Sequence, residues 1–244
     1  MTATNYASYT RDTREILKGL AHRGRLSSAA QILGAGPTDR LLDYGCGDGH
    51  LLTYFQGIIG DEDLCGYDPD SGLLAQRSQT LENVDLRPDI HALINDKRHL
   101  FTRIACFEVC EHLSPSAMSD AFSNIQALAA PGAIVVFGVP VESGPSGFIK
   151  NLYRVAKGGR QRATLPKAFR SLFGVKIKRE YVSDQWTHSH IGFRWRQFQE
   201  DLELNGFVIK KRTYLPVPQL GPLLNNEVYF VCEVADSVKF THQV

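Results

Sequence analysis

Apolar residues in this chain fall into two regimes. Over residues 6–34, Tyr9, Ile16, Leu17, Leu20 and Leu26 recur at partly helical spacing, and Arg11, Arg14, Lys18 and Arg23 form a polar face. Gly34-Ala35-Gly36-Pro37 closes this helical segment. Short apolar runs then alternate with helical ones. Strands are expected at Leu41–Tyr44, Leu64–Tyr67, 84–86, 104–107 and 134–139, and helices at 51–56, 73–80 and 115–130. Strands separated by helix-length segments predict a parallel sheet with crossover helices. The rhythm breaks between Val141 and Ile191, then resumes with a helix at Trp195–Leu204 and strands at 208–213 and Glu227–Val234. Residues 235–244 read as a frayed tail.

Composition adds little bias. The 244 residues are 43% hydrophobic and 22% charged, enough for one large α/β domain with its own core. A net charge of +1 names no partner. No apolar run reaches transmembrane length, and Met1–Tyr6 lacks the basic and apolar regions of a signal peptide. There are five cysteines, an odd number, with no CxxC pair; Cys106, Cys110 and Cys232 lie in or beside apolar runs. Buried free thiols of a cytoplasmic protein are expected, with no disulfide.

The densest chemical signal is Arg40-Leu41-Leu42-Asp43-Tyr44-Gly45-Cys46-Gly47-Asp48-Gly49-His50. An apolar strand delivers an acid, and three glycines follow at every second position. Glycine lets the backbone turn sharply and a ligand lie against it. Asp43 at the carboxyl end of the first strand stands where open α/β sheets bind ligands. A carboxylate there suits an amino group better than a phosphate.

This D-x-G-x-G-x-G run resembles the first motif of class I S-adenosylmethionine (SAM)-dependent methyltransferases, and differs from the phosphate fingerprint G-x-G-x-x-G. Three further segments resemble later family motifs in order: Cys65-Gly66-Tyr67-Asp68-Pro69-Asp70, then 101–113 ending in Glu111-His112-Leu113, then Pro131-Gly132 before the fifth strand. The resemblance covers 38–140 well and 190–234 loosely. It implies a Rossmann-like, doubly wound α/β fold with a seven-stranded, mostly parallel sheet, a reversed C-terminal hairpin and a helical lid insertion. The implied organisation is one methyltransferase domain over 1–234, with a helical cap at 1–37 and a basic helical lid at 143–190. The implied cofactor is SAM. Its methionine half would lie on Gly45, Gly47 and Gly49, oriented by Asp43. Its ribose would be held by Asp68, with Asp89 near the adenine and Phe107 and Glu108 near the sulfonium. Asp70 reads instead as a helix cap before Ser71-Gly72-Leu73. Thr102 stands where the family's fourth motif usually has Asp.

Glu108-x-x-Glu111-His112 has three readings. It is common family sequence without a metal. His112, or His190 in His188-Ser189-His190, is a candidate general base, since imidazole titrates near neutrality. The same triplet resembles the divalent-metal site of quinol O-methyltransferases and of small-RNA 3′-end methyltransferases. The working assignment is catalytic His112, His190 and Glu108 with no resident metal; Glu108, Glu111 and His112 are the candidates if one binds.

Residues 148–180 carry ten Lys or Arg against one acid, Glu180. Phe148, Ile149, Leu152, Tyr153 and Ala156 make a helical stripe closed by Gly158-Gly159, and Pro166 opens a second short helix with Phe169, Leu172 and Phe173 expected inward. In the family this segment builds the substrate lid. A basic amphipathic lid points to a small anionic or lipid-like substrate and to peripheral membrane contact. Trp186 and Trp195 read as structural. The expected reaction is methyl transfer from SAM to oxygen or nitrogen of a small molecule, with nucleic acid not the expected partner. The alternatives are an RNA methyltransferase and a non-catalytic SAM-binding subunit.

Overall fold

The computed structural model describes residues 27–96, 100–156, 164–173, 175, 177, 179–182 and 185–235. The helical cap expected at 1–37 and the tail at 235–244 therefore lie largely outside the described residues; 27–33 are helical (α1) and end at Gly34. The chain divides into two compact units, Met1–Cys106 with Asn124–Val136, and Phe107–Ser123 with Phe137–Val244.

Strands β1 (Leu41–Tyr44), β2 (Leu64–Tyr67), β3 (Asp85–Arg87), β4 (Phe101–Phe107), β5 (Ala129–Pro140), β6 (Phe207–Leu215) and β7 (Glu227–Val234) form one sheet in the order β3-β2-β1-β4-β5-β7-β6. This is the expected Rossmann-like α/β sheet, with β1 parallel to both β2 and β4 and β2 parallel to β3. All four residues of β1 and of β2 are buried, the signature of parallel strands covered on both faces. The register pairs Asp43 with Gly66, leaving both near the carboxyl ends of their strands.

Within the first unit, Leu41, Leu42, Leu52, Leu64 and Ile104 are fully buried. Two short helices follow strands: α2 (Ser71–Leu74), capped by Asp70 through the Gly72 and Leu73 amides as expected, and α3 (Ile90–Asn95), capped by Asp89 through those of His91 and Ala92. The helix expected at 51–56 is instead a single 3-10 turn, Leu52–Tyr54. Gly49 and Gly57, both at positive φ, bracket a span too short to propagate an α-helix. The segment at 73–80 also breaks: Ser78 accepts a bond from the Thr80 amide and starts a new 3-10 turn, Gln79–Leu81.

The second unit carries α4 (Pro115–Leu128), α5 (Gly144–Ala156), α6 (Leu165–Leu172) and α7 (Trp195–Leu204). Strands β6 and β7 pair antiparallel from Phe207–Val234 to Leu215–Glu227, forming the reversed hairpin. Its core includes Phe122, Phe137, Phe198 and Phe207, whose rings approach edge-on or tilted with centroids 5.1 to 6.0 Å apart.

The apolar faces of the lid helices turn outward, against the expectation for α6. On α5, Ser146, Gly147 and Asn151 are buried, while Ile149, Leu152 and Tyr153 are exposed. On α6, Ala168 and Ser171 are buried, and Phe169 and the following Phe173, expected inward, are 54% and 75% exposed. On α5 the inward polar side meets Glu142, a buried carboxylate between β5 and α5. It accepts two bonds from the Arg154 guanidinium, at 2.6 and 3.0 Å, and faces the Lys150 ammonium at 3.4 Å. Satisfying that buried charge turns the polar side of α5 inward. All five cysteines are free and buried.

Candidate active site

The glycine-rich turn is built in the first unit. Gly45, Gly47 and Gly49 all adopt left-handed φ, of 84°, 58° and 79°. The Gly45 and Cys46 amides donate to the Tyr67 carbonyl at 2.7 and 2.9 Å, stitching the turn to the end of β2. A Cβ on Gly47 would meet nothing within 4 Å, so that backbone faces open space; on Gly49 it would strike the Leu81 side chain at 2.8 Å. Asp68 pins the turn from the other side, its Oδ2 accepting from the Gly47 amide and its Oδ1 from the Asp70 amide, both at 2.9 Å.

Two acids therefore meet in the cradle, both nearly buried. Burial, and then the charge of Asp68, raises the Asp43 carboxyl to about 7. Burial raises Asp68 too, against the opposing pull of its two amide bonds. Among the described residues no cation pairs with either acid. An ammonium beside Asp43 would restore its charge, and vicinal hydroxyls would find a fixed carboxylate in Asp68, so these residues fit an amino-acid nucleoside such as SAM. Asp89 is exposed and spends Oδ1 on capping α3.

The second unit gathers a different set. Phe107 packs edge-on against Tyr229 with centroids 5.3 Å apart. Glu108 is the one described non-glycine residue at positive φ (58°), held by its amide donating to Gly138 O at 2.9 Å. A non-glycine residue held in that region marks a position the surroundings over-determine. The turn then carries Glu111 and His112 inward through the 3-10 segment Cys110–His112.

Glu111, His112 and His190 place one ligand atom each within 4.8 Å of one another. The third member is His190, seventy-eight residues along the chain from His112, rather than the expected Glu108. Both Glu111 carboxylate oxygens are buried and accept no hydrogen bond; the nearest imidazole nitrogens are His190 Nδ1 at 3.6 Å and His112 Nε2 at 4.0 Å. His112 Nδ1 lies 2.7 Å from the Thr187 carbonyl, which can only accept, so the proton is on Nδ1 and Nε2 offers its lone pair. Trp186 stacks on the His112 ring at 4.6 Å, and His190 meets it edge-on at 4.7 Å. His188 points elsewhere: it is exposed and lies 3.4 Å from the Trp186 indole nitrogen.

Charge in this cluster is suppressed. Burial first, then the Glu108 carboxylate, lifts Glu111 well above the usual range. Burial lowers His112 to about 4, despite its bond to Thr187, and burial together with His112 lowers His190 to about 3. Two neutral imidazoles around a carboxyl without a donor make the donor set a divalent cation takes. Arg179 fastens the frame. Its guanidinium donates to the Glu111 and Ser189 carbonyls and lies over the Tyr181 and Phe193 rings. In the sequence Arg179 was one of ten lid cations, and nothing in the lid's charge pattern singles it out. A cavity of about 350 Å³ in this unit is lined by Lys167, Arg179, Tyr181, Thr187, His188 and Ser189 among others.

The sequence matches the family described as "Methyltransferase domain" over residues 10–205. No curated protein matches it. Among solved structures, the fold is similar to magnesium protoporphyrin IX methyltransferase (ChlM) from Synechocystis PCC 6803 with bound SAH, at 16% identity over 89% of this chain and 85% of that one, TM-score 0.53. It is similar to the N-methyltransferase NodS from Bradyrhizobium japonicum WM9, at 14% identity over 89% and 98%, TM-score 0.54. A TehB-like SAM-dependent methyltransferase from Corynebacterium glutamicum ATCC 13032 shares 17% identity over 94% and 96%, TM-score 0.56. With the expected sheet, a fold shared with SAM-dependent methyltransferases and a family match over most of its length, this chain belongs to the methyltransferase-domain family.

Proposed function

We propose that the protein transfers the SAM methyl group to an oxygen, or alternatively a nitrogen, of a small anionic or lipid-like substrate. In this reading Asp43 takes the SAM ammonium, Gly45, Gly47 and Gly49 lie along its methionine half, and Asp68 accepts from the ribose hydroxyls, with Asp89 serving the adenine end. The acceptor oxygen attacks the methyl carbon as the S–CH₃ bond breaks, giving a methyl ether or ester, S-adenosylhomocysteine and one proton.

The observation that carries the acceptor side is the grouping of His112 and His190 around Glu111, the two rings meeting edge-on at 4.7 Å. Burial keeps both imidazoles neutral and makes them weak bases, so they accept a hydrogen bond from the acceptor hydroxyl and orient it. The cavity lined by Lys167 and Arg179 supports an anionic acceptor. Magnesium protoporphyrin IX, named for one structurally similar enzyme, is a small molecule and supports a small acceptor here by analogy alone.

A second reading is favoured by one feature, the Glu111 carboxylate whose oxygens accept no bond between two imidazoles. In it Glu111, His112 and His190 hold a divalent cation, which when bound supplies Lewis acidity toward an acceptor hydroxyl. His112 is already in the tautomer a ligand needs, and Arg179 and Thr187 fix the geometry around it.

The test is transfer of labelled methyl from SAM into a cell lysate with and without chelator, separated into organic-solvent, aqueous small-molecule and RNA fractions. Label in the organic or small-molecule fraction supports the proposal. Chelator-sensitive label supports the cation reading, and label in RNA replaces the small-molecule acceptor with a nucleic-acid one.

A further inference from the structure

The outward faces of α5 and α6 are apolar where a soluble surface helix is polar. Ile149, Leu152 and Tyr153 of α5, Leu165 and Phe169 of α6 and the adjoining Phe173 are 43 to 75% exposed. On α5 they stand at i, i+3 and i+4, one stripe along a 13-residue helix about 20 Å long. On α6 they stand at i, i+4 and i+8. The two helices pack together, and Phe148 meets Phe169 at 5.4 Å, so the stripes belong to one patch. The inward sides hold Ser146, Asn151, Ala168 and Ser171. Glu142 fixes this inversion through Arg154 and Lys150, so the patch is not a mobile core in the wrong place. Exposed apolar surface of this kind is built to be covered.

Charge identifies what covers it. Residues 148–180 hold ten Lys or Arg against one acid, so the other residues carry seventeen against twenty-five. Lys150 and Arg154 spend their charge on Glu142, and Arg179 on the Glu111 and Ser189 carbonyls, so seven of the ten cations carry the excess positive charge of the segment bearing the apolar patch, while the rest of the chain is acidic. Lys167 and Arg170 lie on α6 beside Phe169. A second acidic copy of the chain would meet the charge but would carry its own basic patch to a symmetric contact. Nucleic acid would meet the charge but leave Ile149, Leu152 and Leu165 against a polar backbone. An anionic bilayer meets both: headgroups for the cations and an acyl boundary for the aliphatic and aromatic side chains.

We infer that α5 and α6 dock this protein on an anionic phospholipid surface, the apolar stripe entering the headgroup boundary and Lys167 and Arg170 of α6 meeting the phosphates. This stands apart from SAM binding and from Glu111, His112 and His190; Lys167, which also lines the cavity, is the residue it shares with the acceptor reading.

Flotation of the full chain with phosphatidylcholine vesicles, with and without about one-third phosphatidylglycerol, tests it. The wild type floats with the anionic vesicles, remains behind with the neutral ones, and is released as salt rises to about 0.5 M. Phe169→Ser with Phe173→Ser lowers the bound fraction about tenfold, while the melting temperature and SAM affinity stay within error because both side chains are exposed. No flotation, equal flotation with neutral vesicles, or flotation unchanged by the double substitution overturns the inference. So does light scattering that shows a dimer lost in the same variant, or displacement from vesicles by RNA with retention of the apolar patch dependence.

Discussion

Asp68 Oδ2 accepts the amide of Gly47 at 2.9 Å across twenty-one residues of chain, tying the carboxyl end of β2 to the middle of the glycine turn. The same carboxylate holds the Asp70 amide, so one side chain sets both the turn and the cap of the next helix. Asp68→Asn retains one acceptor oxygen and loses the charge. It should keep the fold and weaken SAM binding about tenfold by calorimetry, since a charged acceptor is exchanged for a neutral one.

Asp43 carries a pH signature. Its folded-state carboxyl sits near 7, above the ordinary 3.8, so the SAM-free protein takes up a proton that the unfolded chain has released. Stability of the SAM-free protein therefore declines as pH rises from about 4 to about 7, and levels above that. SAM's ammonium requires the ionised form, so affinity should fall about tenfold from pH 7 to about pH 5.5. Asp43→Asn should flatten both dependences. Titration in buffers of different ionisation heat should show proton release on binding near pH 6.5 in the wild type only.

The Glu111 cluster gives opposite signs in two states. In chelator-treated protein Glu111→Gln removes a buried carboxyl that burial opposes, so the melting temperature should hold or rise. If Glu111, His112 and His190 bind a divalent cation, the wild type should gain stability with that ion and the variant should not. Metal analysis of the purified protein and differential scanning calorimetry read this directly. Methyl transfer by the variant should fall about a hundredfold in the cation reading.

Glu142 is expected to be a stability residue. Burial alone would raise its carboxyl, but Lys150 and Arg154 hold it below the usual range. Glu142→Ala leaves Arg154 and Lys150 facing a polar pocket without their anion, and should cost about 3 kcal/mol in urea unfolding. Replacing Glu142 and Arg154 together should cost less than the two single changes added.

Sequence showed some of this and hid the rest for definite reasons. Trp195–Leu204 and Glu227–Val234 were readable to the residue, because each is long and strongly patterned. Asp70 was readable as a cap because capping is local. The three glycines were readable as a sharp turn because left-handed φ favours glycine, whereas the bond from the Gly47 amide to Asp68 joins residues twenty-one apart and leaves no local pattern. His190 beside Glu111 was not, since a seventy-eight-residue separation from His112 leaves no periodicity to detect. The direction of α5 was hidden for another reason. Ile149, Leu152 and Tyr153 announce an amphipathic stripe, but which side turns inward depends on Glu142, a residue outside the helix whose charge finds Arg154. The short α3 escaped because six residues carry too little pattern, although Asp89 ahead of Ile90 is the cap that starts it.

The turn from Asp43 to Gly49, anchored by Asp68, is the expected SAM cradle. Isothermal titration of SAM into the wild type and into Asp68→Ala, with circular dichroism confirming that both are folded, tests it most directly. The wild type should bind one SAM per chain and the folded variant should lose at least about a hundredfold in affinity, the cost of two hydrogen bonds to a charged acceptor. Equal affinity in the two folded proteins would contradict it.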